Sequence, residues 1–178
     1  MRSERHILHG GEVLEIAVPQ PGEAVEIVAF LNRAGGESSF LAFGAGGYVY
    51  TVEEQKTLIE DCRERGDGYM LNARIGEMLV ANLYLFPLTH DFKSAEFGLC
   101  VAKSHWGRGI GTRMLAHVLA WASHRGLEEI CIQVHPKNVA AQRLYARHGF
   151  APAEEGDAES AMAMRLPTAS RESLAGQA

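Results

Sequence analysis

The chain has 178 residues, of which 47% are hydrophobic and 22% charged, with a formal net charge of −5. That balance suits one soluble globular domain with a sizeable core; no global basic field points to nucleic acid, and no apolar run approaches a membrane span. Its three cysteines, Cys62, Cys100 and Cys131, are odd in number and lack CxxC spacing, which argues against a disulfide framework or structural zinc and fits a reducing cytoplasm. The opening MRSERHILHGGE has no long apolar stretch, so no signal peptide is expected.

In chain order, residues 12–18 (EVLEIAV) alternate and are rich in β-branched side chains, which predicts a strand ended by Pro19. Residues 22–36 read as a helix with Val25, Val28, Ala29 and Leu31 near one face, stopped by Gly35–Gly36. A Gly/Ser-rich connection carrying Phe40, Phe43, Tyr48 and Tyr50 follows, with Glu37 at its head. Thr51 is an N-cap, and Glu54 stands three residues on, where a capping box puts its acid; that helix should run to about residue 65. Strands are predicted at 69–73, 77–86 and 95–102, the first two joined as a hairpin around Gly76, with a polar loop at 87–94. A helix over 109–124, a strand over 129–134, a helix over 138–148 and short strands near Phe150 and at 161–166 complete a mixed α/β domain over 1–167. The last stretch, TASRESLAGQA at 168–178, reads as a mobile tail.

The segment HWGRGIGTRML at 105–115 places Gly107, Gly109 and Gly111 around Arg108 at the start of a helix. Helix N-termini expose unpaired N–H groups and partial positive charge, and glycines let an anion approach them. Arg108 could add a charge-assisted contact to phosphate. Thr112 stands where the third glycine of GxGxxG belongs, and no Gly-Lys-Ser/Thr follows, so neither a dinucleotide fingerprint nor a Walker A loop fits. The competing reading is a glycine turn that only packs a helix tightly onto a sheet.

Downstream, Asn138 and Tyr145 lie seven residues apart, about 10.5 Å along one helix face. Taken singly they read as an N-cap and a core aromatic. Together with the glycine turn, these stretches (95–122 and 131–150) resemble the GNAT superfamily of acyl-CoA-dependent N-acetyltransferases. Gly109 and Gly111 fill the glycine positions of that family's turn, whereas Trp106 stands where Gln or Arg is commonest. The resemblance implies a mixed, mostly antiparallel central sheet with helices on both faces and a splayed pair of parallel strands. It implies acetyl-CoA as acyl donor, a primary amine as acceptor, and homodimer formation.

For the cofactor, the resemblance implies backbone pairing of the pantetheine arm with Leu99, Cys100 and Val101. The pyrophosphate would sit on the segment Trp106, Gly107, Arg108, Gly109, Ile110, Gly111 and Thr112, and Asn138 would hold the arm. Tyr145 would protonate the departing thiolate. A base must deprotonate the amine, and Glu96, on the cofactor strand, is the candidate. Strict alternation would put Glu96 on one face with Gly98 and Cys100. Glu37 is a substrate-contact candidate. His90 and His105 are expected exposed in loops, and His117 and His124 share a helix face without an acidic or cysteine partner, so no metal site is expected. Cys100 reads as a buried strand cysteine rather than a nucleophile. The alternative to an enzyme is a non-catalytic acyl-CoA-binding module, which would need neither Glu96 nor Tyr145.

Overall fold

A computed structural model describes residues 3–66, 68–152 and 162–167. The chain falls into two compact units, Met1–Tyr84 with Leu99–Met114, and Leu85–Gly98 with Leu115–Ala178. No described helix is long and apolar enough to cross a membrane.

In the first unit the strand order is β1-β2-β3-β4, from β1 (Glu4–Ile7), β2 (Val13–Ala17), β3 (Tyr69–Ile75) and β4 (Met78–Pro87). β1–β2 and β2–β3 pair antiparallel. β1 was not expected from its sequence: ERHI is mostly polar and mostly exposed, as an edge strand can be. Its register sets Arg5 opposite Glu15, and their side chains pair at 3.3 Å.

α1 (Ala24–Glu37) buries Ala24, Ile27, Phe30, Leu31 and Ala34. Of the face expected from the sequence only Leu31 is buried, and Val25 is 62% exposed. The large side chains of Ile27 and Phe30 set the helix phase, and burial of their greater area outweighs the valines. α1 also runs through Gly35–Gly36 instead of stopping there. The glycines serve close approach: a Cβ on Gly35 would collide with the Gly44 carbonyl, and one on Gly36 would lie 3.0 Å from Ala45 Cβ. Gly35→Ala is therefore expected to destabilise by about 1–2 kcal/mol, the clash exceeding alanine's helical advantage of about 1 kcal/mol. Urea unfolding measures the difference; a stabilised variant would contradict the close crossing.

α2 (Val52–Glu64) starts as predicted, with Thr51 Oγ1 accepting from Glu54 N and the Glu54 carboxylate accepting from Thr51 N. A polar network ties β3 and β4 to the start of α1. Asn82 donates to Asn72 at 2.9 Å, Asn72 to Glu23 at 3.3 Å, and Arg74 to Glu23 at 2.6 Å. Burial opposes ionisation of Glu23, but the Gln20 N–H, Arg74 and Asn72 prevail and hold its carboxyl below the usual range. A depressed folded pKa stabilises at neutral pH, and the contribution disappears as pH falls below about 4.3 toward the folded value. The stability gap between wild type and Glu23→Gln, read by urea midpoints, should accordingly be present at pH 7 and shrink on acidification below pH 4.

In the second unit the order is β5-β6-β8-β7, from β5 (Ser94–Val101, of which residues 94–98 belong to this unit), β6 (Glu129–Val134), β7 (Ala151–Pro152) and β8 (Met162–Pro167). β6–β8 and β7–β8 are antiparallel, and β5–β6 is the parallel pair. The sheet class is thus mixed and mostly antiparallel, as expected. Parallel pairing covers only three residue pairs, from Ser94–Glu129 to Glu96–Cys131, although β5 continues to Val101 and β6 to Val134. α3 (Ile110–Arg125) and α4 (Val139–Ala146) flank β6 in sequence. The tail expected at 168–178 lies outside the described residues.

Candidate active site

β5 ends at Val101, and a short 3-10 turn over Lys103–His105 leads into the glycine segment. Several contacts within the first unit fix this corner. Ala102 N donates to Val80 O at 2.9 Å, Lys103 N donates to Glu37 Oε2 at 2.9 Å, and the Trp106 indole donates to Val101 O at 2.7 Å. Trp106 therefore caps the strand end, while its ring stays 48% exposed. His105, expected to be exposed, is buried with Ser104 Oγ 2.9 Å from its Nδ1.

Gly107 and Gly109 take φ +72° and +78°, a region that L side chains rarely adopt. A Cβ at either position would meet no atom within 4 Å. Close packing onto the sheet therefore does not account for these glycines, whereas backbone conformation does. Gly109 O accepts from Arg113 N at 3.2 Å, which opens α3. Among the described residues, none accepts from the main-chain amides of 107–112. Arg108, expected on phosphate, pairs with Glu12 beside the β1–β2 turn.

The second unit holds the other candidates. Glu96 is half-buried opposite Cys131, and burial pushes its carboxyl above the usual range. The alternation of β5 does not hold along its length: Ala95 and Phe97 are buried, Gly98 and Leu99 are both intermediate, and Cys100 is buried next. Burial along β5 therefore does not alternate strictly between its two faces. Tyr145 is 4% exposed. Its ring packs against Phe97 (centroids 5.7 Å, interplanar 84°) and Phe150 (5.8 Å), which are themselves 5.7 Å apart. Asn138 caps α4 through Oδ1, which accepts from Ala141 N at 3.2 Å; the cap does not use its amide nitrogen.

The model of the Acetyltransferase (GNAT) family matches residues 38–150. The chain belongs to the GNAT acetyltransferase family. A Bacillus subtilis relative, uncharacterized N-acetyltransferase YobR, is 39% identical over 57 residues, 32% of this chain and 23% of that protein. The chain thus spans about a quarter of that curated relative's length. Among solved structures, a GNAT-family acetyltransferase from Streptococcus pneumoniae superposes with TM-score 0.79 at 23% identity, covering 88% of this chain and 99% of that one. The Salmonella typhimurium protein yncA, solved with its cofactor acetyl-CoA, gives 0.73 at 15% identity, covering 88% and 94%.

Elsewhere in this GNAT chain, the aromatics of the α1–α2 connection form a ladder. Phe43 stacks edge-on with Tyr48 at 5.3 Å, and Tyr48 with Tyr50 at 5.7 Å. Tyr48 is anchored by its N–H on Asn32 Oδ1 (3.0 Å) and by its hydroxyl on the buried Gln55 (2.7 Å). Glu12 and the tie between Glu37 and Lys103 were not found by sequence reasoning, because each joins segments distant in the chain and no local pattern marks them. Cys100 is buried, and that burial, followed by the Glu37 charge, pushes its thiol up to about 12. A protonated thiol is a poor nucleophile. Cys100→Ala is expected to retain turnover within roughly threefold, since a buried thiol held protonated is poorly suited to carry the acyl group. Steady-state kinetics checks this, and loss of a hundredfold or more would reinstate an acyl-cysteine.

Proposed function

We propose that this chain is an N-acetyltransferase that transfers an acetyl group from acetyl-CoA to a primary amine by direct attack on the thioester. The observation that carries the reading is the run of amides at 107–112, which have no acceptor among the described residues and stand at the start of α3. Membership of the GNAT family supports acetyl-CoA as the ligand that such a run would serve. Amides of the turn hold the diphosphate, aided by the helix dipole. Main-chain groups of Leu99, Cys100 and Val101 pair with pantetheine as an added strand would. The Asn138 amide nitrogen donates to the same arm, leaving its Oδ1 on the cap.

Glu96 takes the proton from the acceptor ammonium, directly or through water; its raised carboxyl pKa makes it a better base than an exposed glutamate. The amine nitrogen then bonds to the thioester carbon, the C–S bond breaks, and Tyr145 delivers a proton to the leaving sulfur. A phenol with pKa about 10 can protonate a thiolate whose thiol has pKa about 8.5. Arg108 assists at the phosphates only by exchanging its Glu12 partner for them.

The test is release of CoA thiol from acetyl-CoA across a panel of polyamines, lysine peptides, N-terminal peptides, amino acids and aminoglycosides. Amine-dependent release with formation of the matching acetamide supports the reading. Tight CoA binding without release on any amine would make the chain a binding module instead. Absence of CoA binding would remove both.

A further inference from the structure

We propose that Glu37 is a positioning residue that ties the end of α1 to the entrance of the cofactor turn and so sets affinity for CoA. The proposal rests on the function assigned above, and it concerns a residue that contacts neither reacting atom. Glu37 is the last residue of α1, and its Oε2 accepts from Lys103 N at 2.9 Å across 66 residues of sequence. Lys103 is the first residue of the 3-10 turn that leads from β5 into Trp106 and Gly107. The carboxylate thus holds the corner from which the amides of 107–112 depart.

Glu37 is itself held in place. The Gly35–Gly36 pair allows residues 44 and 45 to cross α1 at its last turn, and Asn32 anchors the same connection through Gly46 N (3.3 Å) and Tyr48 N (3.0 Å). The exposed Arg33 lies 3.9 Å from the other oxygen, Oε1, too far to be the main restraint. A fixed helix end, a hydrogen bond from a backbone N–H to a side-chain oxygen and a short turn make a chain of rigid pieces. The Glu37 carboxylate thus joins the end of α1 to the entrance of the cofactor turn.

The tether makes a prediction that a purely electrostatic role does not. Glu37→Gln keeps an oxygen at the same reach and loses the charge; Glu37→Asp keeps the charge and withdraws it by one methylene. Calorimetric titration with free CoA, which needs no turnover and no acceptor, should give wild-type affinity within about twofold for Glu37→Gln and losses of roughly 5–30-fold for Glu37→Asp and Glu37→Ala. Arg33→Ala should bind as wild type. Where turnover is measurable, the loss should fall on KM for acetyl-CoA, with kcat and the acceptor KM little changed. If Glu37→Ala fails to fold, Glu37→Asp carries the test. Wild-type affinity in Glu37→Asp, or a loss in Glu37→Gln as large as in Glu37→Asp, overturns the tether. Wild-type protein that binds CoA but acetylates nothing leaves the tether standing and overturns the proposed activity instead.

Discussion

Gly109→Val is expected to lower affinity for CoA at least 100-fold, about 2.7 kcal/mol, while the chain still folds. Gly109 sits at φ +78°, where a β-branched residue is strained by about 1–3 kcal/mol and the backbone rotates to relieve it. A Cβ there meets nothing within 4 Å, so the substitution creates no packing clash. The rotation instead turns the amides beside it, and bonds from N–H groups to a charged acceptor contribute roughly 1.5–3 kcal/mol each. Two misdirected amides are enough for the loss. Thermal unfolding should fall by roughly 2–10 °C for a chain of this size, well short of collapse. Calorimetry with CoA reads the affinity. A variant that binds as wild type would mean that the turn does not hold the diphosphate.

The fold was most legible where local chemistry decides it. Thr51 and Glu54 announce the start of α2 by their spacing alone, because a capping box is complete within four residues. Residues 129–134 were readable as β6, since an apolar β-branched run bounded by turns has few other uses. β1 was not readable: Glu4, Arg5 and His6 carry no apolar alternation, and their strand exists because β2 pairs with them. Gly35 misled because a glycine at a helix end and a glycine under a crossing chain look alike in sequence. Only the position of Gly44 separates the two.

The candidate site divides in the same way. Its glycine turn and the Asn138–Tyr145 spacing were visible, because both are local patterns tied to a helix terminus or a helix face. The partners that set the turn were not. Glu12 on Arg108 and Glu37 on Lys103 join distant segments through single side chains, and such pairs leave no periodic trace. The non-alternating burial of β5 between Phe97 and Cys100 was hidden too, since what covers each side chain is not written in residue type.

Tyr145→Phe tests the chemistry more sharply than any change at the turn. The ring is 4% exposed and packs on Phe97 and Phe150, and phenylalanine keeps all of that apolar contact. What disappears is the hydroxyl, so kcat should fall roughly 10–1000-fold while CoA affinity stays within about twofold. Unchanged kcat would reduce Tyr145 to a core aromatic and move protonation of the thiolate to solvent. Glu96→Gln should give a loss of similar size with a different signature. Burial holds the Glu96 carboxyl above the usual range, so in wild type kcat/KM should fall with unit slope as pH drops below that raised value. The acid limb disappears in Glu96→Gln and persists in Tyr145→Phe, because that variant retains the Glu96 carboxyl. Two variants with similar rates and different pH profiles would separate the base from the acid; an acid limb that survives in Glu96→Gln would assign the amine's proton to another group.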